Sequence, residues 1–152
     1  MRIEQEAFYL CESLESIDLP SSLEYVGPWA FDKDNQLSKI HLYSMNPPEA
    51  FDTSFSEECY KNATLYVPYG TVEAYKAKTG WKNFVNVQEM ALKGDVNKDG
   101  TVDMADVAEI ECFIMDTPSA FFDIESADMN GDNTINIIDI VLIVNKNTKN
   151  DQ

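Results

Sequence analysis

Histidine is nearly absent from this 152-residue chain: His41 is the only one. Without a second imidazole there is no zinc triad and no Cys/His pair to build. Cysteine is scarce as well. Cys11, Cys59 and Cys112 are odd in number and share no metal or redox spacing, so they read as small core hydrophobes. Basic residues number 11 against 27 acidic ones, and the net charge of −16 repels nucleic acid and anionic membrane alike. No apolar run approaches the roughly 18 residues of a membrane span. Met1-Arg2-Ile3-Glu4 leads straight into charged sequence with no apolar leader region, which reads as a cytosolic chain or a mature fragment of a longer one. What the chain does have is 44% apolar residues, enough for a buried core, and an acidic excess that hard cations would balance.

Internal repetition is the first positive signal. Ala7-Phe8 recurs as Ala30-Phe31, Leu14 as Leu37, Ile17 as Ile40 and Leu19 as Leu42, always 23 residues on. One short strand and a turn per repeat, laid beside the previous one, bury a continuous core at that period. A degraded third turn is expected from Asn46-Pro47-Pro48 through Ala50-Phe51 to the alternation Leu65-x-Val67. A terminal helix should follow, capped by Thr71, with Val72 and Tyr75 inward and Gly80 at its end. Trp81, Phe84, Val85 and Val87 are then expected to close the last coil.

The string A-F-x-x-C-x-x-L-x-x-I-x-L-P from Ala7 to Pro20 resembles BspA-like leucine-rich repeats of bacterial surface proteins. Leu65-Tyr66-Val67-Pro68-Tyr69-Gly70-Thr71 is similar to the closing segment of such arrays. The second repeat departs at one position, with Asp34 where the first has Cys11. Starting without an amino-terminal cap, the array reads as a truncated one, or as one whose open end pairs with another chain.

Acid concentrates in the second part. Residues 1–93 carry 14 acidic and 8 basic side chains, net −6, whereas residues 94–152 carry 13 and 3, net −10. Asp95, Asn97, Asp99, Asp103 and Asp106 stand at positions 1, 3, 5, 9 and 12 of one loop. Asp128, Asn130, Asp132, Asn136 and Asp139 repeat the scheme 33 residues later. Alternating oxygens on a tight turn converge on one point, and the position-7 carbonyls of Thr101 and Thr134 complete a calcium shell in each loop. Two bound Ca2+ ions are expected, the first loop tighter because it has four carboxylates against three. Gly100 and Asn133 should take the left-handed conformation at position 6. Val102 and Ile135 are suited to a short backbone pairing between the loops. Apolar helices should follow, with Val107, Ile110, Phe113 and Ile114 after the first loop and Val141, Leu142 and Val144 after the second.

Asp rather than Glu at position 12, and the absence of a helix before the first loop, separate this from an ordinary EF-hand pair. With the opening Gly94-Asp95-Val96-Asn97-x-Asp99-Gly100, the segment resembles the dockerin module. That resemblance implies docking onto a cohesin-like domain, which attaches cargo to scaffolds or cell surfaces in anaerobic bacteria. It also places partner choice at loop positions 10 and 11, here Met104-Ala105 and Ile137-Ile138, with Val144 added as a further apolar contact. The two halves do not match at these positions, and Glu111 stands against Val144, so a single docking orientation is expected.

The expected fold class is α+β: a short leucine-rich-repeat β-solenoid over residues 1–88 and a small all-α dockerin-like calcium-binding domain over 94–150. The expected function is a non-catalytic, calcium-dependent interaction module on a surface or secreted bacterial repeat protein. Two alternatives stand beside it: an adhesion fragment whose repeats bind the ligand, with the dockerin as a cap, or the non-catalytic tail of a glycoside hydrolase. His41 reads as an outward polar residue of a strand, and Asp32 and Asp34 as turn residues rather than a glycosidase pair.

Overall fold

A computed structural model describes residues 1–150 of the chain, with side chains described through residue 146. The chain is α+β and divides into two compact units, Met1–Met90 and Ala91–Gln152. Each is described by itself.

In unit 1 the 23-residue period becomes strand register. Strand β2 (Ser16–Leu19) pairs in parallel with β4 (Lys39–Leu42), matching Ile17 to Ile40 and Leu19 to Leu42. Strands β5 (Thr64–Val67) and β6 (Asn86–Glu89) continue the sheet in the order β2-β4-β5-β6, all parallel. On another side of the coil β1 (Arg2–Ile3) pairs with β3 (Tyr25–Val26), extended by a bridge from Tyr25 to Glu49. A ribbon and a four-stranded sheet are what this array amounts to; a solenoid proper is not shown.

The repeated Ala-Phe positions build an aromatic column. Phe8 stacks on Phe31 at 4.9 Å and Phe31 on Phe55 at 5.0 Å, both nearly coplanar. Those spacings are the distance between neighbouring strands, because each ring occupies the same place on successive coils. The first two coils turn their corners in the left-handed region, at Glu6 and Leu10 and, 23 residues later, at Trp29 and Lys33.

The third coil differs from the sequence reading. Its aromatic rung is Phe55, bridged to Phe31, not Phe51, which is exposed and meets Tyr25 edge-on. Helix α1 (Glu57–Asn62), capped by the Ser56 hydroxyl, is inserted after it and shifts the pairing to Ile40–Leu65. Helix α2 (Val72–Ala77) follows, but Thr71 makes no side-chain cap. Its hydroxyl donates instead to the Pro68 carbonyl at 2.7 Å. Tyr75 is buried and donates to the Ser44 carbonyl, and Val72 packs on the core. Gly80 lies beyond the helix end with φ +81°, and a Cβ there would come within 2.7 Å of the Ala50 side chain. Trp81 and Phe84 close the core as expected; Val85 is 70% exposed and takes no part.

Unit 2 contains α3 (Met104–Ile114), the single turn α4 (Ile124–Ala127) and α5 (Ile137–Asn150). It is not an all-α unit, since loops take about as much of it as these helices do. Its core joins Val96, Val107, Ile110, Ala127, Ile140 and Ile143. Phe113 stacks on Phe122 at 4.5 Å, but Ile114 is exposed. On α5 the core face is Ile140 and Ile143, with Val144 half-buried; Val141 is exposed. Among the described residues no strand or bridge joins Val102 and Ile135. Both side chains instead pack against the shared core.

Candidate metal centre

Two loops in unit 2 run from Asp95 to Asp106 and from Asp128 to Asp139, each passing into a helix at position 10. Their first and last carboxylates are buried: Asp95 4% and Asp106 0% exposed, Asp128 8% and Asp139 0%. A carboxylate leaves water only if hydrogen bonds or a cation replace its solvation.

The hydrogen bonds are supplied by the loops' own amides, and the two loops use them alike. Asp95 accepts from the amides of Asp99 and Gly100, and Asp128 from those of Gly131, Asp132 and Asn133. Asn97 accepts from the Asp99 amide and Asn130 from the Asp132 amide, each at 2.9 Å. The side-chain amides of these asparagines donate to Asp99 and Asp132. Asp106 accepts from Val96, Asn97 and Asp103, while Asp139 accepts from Met129 and Asn136. Asp103 caps α3 by accepting from the Ala105 amide, and Asn136 accepts from Ile138 in the same way. The Thr101 hydroxyl at 2.6 Å, then its amide, hold the Asp99 carboxyl below the ordinary range.

Left-handed residues set the turns. Gly100 and Asn133 adopt positive φ as expected, at +89° and +61°. So do Lys98 and Gly131 at position 4, which went unrecognised. Aligning the loops reveals the pattern: each has one glycine in two left-handed places, at position 6 in the first and position 4 in the second. A second missed feature is the strap. The Lys93 ammonium donates to the carbonyls of Glu125 and Asp128, Lys146 donates to the Lys93 carbonyl, and the Gly94 amide donates to Ser126.

The donor set is all oxygen, the chemistry of a hard cation. Among the described residues, however, no group of three or more Asp, Glu, His or Cys side chains is drawn close enough to hold an ion. Each buried carboxylate instead accepts hydrogen bonds from loop N–H groups. In the second loop the Thr134 carbonyl is also occupied, by the Asn136 side-chain amide at 3.1 Å. The side chains that would hold Ca2+ are arranged along each loop with the first and last buried, and a carboxylate oxygen that accepts one amide keeps a further lone pair for an ion.

Of the residues expected to meet a partner, Met104, Ile137 and Ile138 are 62%, 64% and 52% exposed, and Ala105 is exposed too. Val144 stands apart, half-buried against the core. In unit 1, His41 bonds Asp18 at 3.0 Å and stacks on Tyr66, a surface pair of one strand rung. Asp32 is half-buried and Asp34 fully buried, so they do not share an open cleft. Among the described residues the three cysteines are free and no helix is long and apolar enough to cross a membrane.

A model of the BspA type leucine rich repeat region (6 copies) matches residues 1–98, and one of the dockerin type I domain matches residues 93–146. Neither curated proteins nor solved structures give a match.

Proposed function

We propose a calcium-dependent tether on this premise: the chain belongs to the BspA-type leucine-rich repeat family and carries a dockerin type I domain after the repeats. Both are families of non-catalytic interaction modules, and dockerins bind cohesins in the presence of calcium. The observation that carries the reading to this chain is the duplicated loop, with near-identical amide scaffolds around buried carboxylates at positions 1 and 12.

The first ion would be held by Asp95, Asn97, Asp99, the Thr101 carbonyl, Asp103 and Asp106. The second would be held by Asp128, Asn130, Asp132, the Thr134 carbonyl, Asn136 and Asp139. Bound there, calcium supplies the positive charge that lets these carboxylates lie together. Cohesin contact falls to the exposed positions Met104, Ala105, Ile137 and Ile138, with Val144 at most a margin of it. Because Met-Ala and Ile-Ile differ, one docking orientation dominates: Asp at Ile138 and, separately, at Ala105 should weaken binding unequally, and equal losses would contradict it. Parallel strand register supports a short solenoid over 1–88, followed by the dockerin-like domain over 94–150. A cohesin partner, and the bacterial cell surface or exterior as location, complete the proposal.

The test is capture of the full chain by a panel of cohesin domains. Capture in calcium that is lost in chelator is expected; capture indifferent to chelator, or by no cohesin, overturns the reading.

A further inference from the structure

Asp34 occupies the place that Cys11 holds one coil earlier, yet it is 0% exposed and neither carboxylate oxygen has a hydrogen-bond partner. Cysteine at this place is a small apolar filler. A carboxylate of similar size loses its hydration, and only the Cys11 amide, itself donated to Phe8, acts against that loss.

The groups around it make matters worse. From the first coil comes Cys11, whose amide is already committed to the Phe8 carbonyl at 3.1 Å. From α1 comes Cys59, buried, its thiol pushed up to about 12 by burial first and by the Asp34 charge second. From its own turn comes the like charge of Asp32. Outside lies a cavity of about 330 Å3 lined by Asp32, Lys33, Asn35, Ser56, Glu57 and Glu58, three acids against one lysine. Lys33 is exposed, and among the described residues no ion pair reaches Asp34.

We propose that Asp34 is a proton-linked brace: the repeat array is tightest with this buried carboxyl protonated and loosens as it ionises. The neutral acid carries no charge to desolvate and packs as cysteine does in the neighbouring coil. Burial raises the Asp34 carboxyl above its ordinary range, and the Asp32 charge adds to this against the smaller opposing effect of the Cys11 amide. A raised folded-state value means stability present in full at pH below the ordinary carboxylate range and withdrawn as pH rises through the raised value. Unit 1 therefore gains relative stability in acid.

Both tryptophans, Trp29 and Trp81, lie in unit 1, so their fluorescence reports this unit alone in the intact chain. Denaturant unfolding in saturating calcium, from the ordinary carboxylate range at about pH 4 up to about pH 8, should show the wild-type midpoint falling as pH rises. Asp34→Asn and Asp34→Cys should flatten that slope and lie above wild type at the alkaline end. Parallel slopes for wild type and both variants overturn the proposal. A wild-type-only measurement guards against variants that fail to fold. The protonated-carboxyl infrared band should hold one component that titrates above the surface carboxylates, and its absence also overturns the proposal.

Discussion

The interior of unit 1 is a stack of rings, Phe8, Phe31 and Phe55, closed by Trp81 and Phe84. The interior of unit 2 is shared between aliphatic side chains and carboxylates, with Asp106 and Asp139 as completely buried as Ile110 and Ile143. Stacked rings attract one another unaided, and each added coil extends the same core. Carboxylates gathered into a loop repel one another, and amides only partly offset this. Unit 1 thus carries its cohesion within the chain, whereas on the proposed calcium reading unit 2 takes part of its own from solution. One half should then be sensitive to packing and the other to divalent cations.

Removing calcium should break the comparison most visibly. With calcium about 1,000-fold above its Kd each ion contributes about 4 kcal/mol, so chelation should strip unit 2 of much of its stability. Amide exchange should rise across 94–146 while tryptophan emission stays constant; a matching emission shift would mean the halves are not separately held. Cutting the column tests the other half. Phe31→Ala removes the middle ring and should cost about 3–5 kcal/mol in unit 1, with calorimetric calcium binding unchanged. Within unit 2, Asp106→Ala leaves three amides without an acceptor and Asp139→Ala leaves two. At about 1 kcal/mol or more for each stranded amide, the first should cost more. Each should reduce the calcium stoichiometry from two to one. The smallest effect is expected of Asn136→Asp, which gives the second loop a fourth carboxylate and releases the Thr134 carbonyl. A gain of roughly tenfold in that loop's affinity, seen as merging of two calorimetric steps, would identify the fourth carboxylate as the source of the difference between the loops.

Where the sequence repeats itself, its reading and the structure agree. Leu19 faces Leu42 and Ile17 faces Ile40 because a constant offset is itself a register. The paired loops were legible for the same reason, each confirming the other's spacing. The third coil misled because α1 shifts the offset and Ala50-Phe51 imitates the repeated dipeptide, while Phe55 follows a serine. On α5 nearly every residue from Ile137 to Val144 is apolar, so periodicity names no inward face, and Ile140 and Ile143 emerged only from packing. Lys98 escaped because no side-chain rule predicts a left-handed lysine. Its backbone is bent by the Asp99 amide that follows it, which donates to both Asp95 and Asn97.

The corners of the repeat array carry a consequence of another kind. Glu6, Leu10, Trp29 and Lys33 are an acid, an aliphatic, an indole and an ammonium, yet all four are exposed and left-handed at matching places. That conformation costs a non-glycine residue about 1 kcal/mol or more, so none of the four side chains selects it. The corners are set from within the coil stack, by amides reaching the next coil: Glu6 to Pro28, Leu10 to Asp32, Trp29 to Thr53. Shape and lettering are therefore uncoupled at these positions. A spool wound this way can have its rim rewritten residue by residue, in charge, size or aromaticity, while the thread beneath keeps its path.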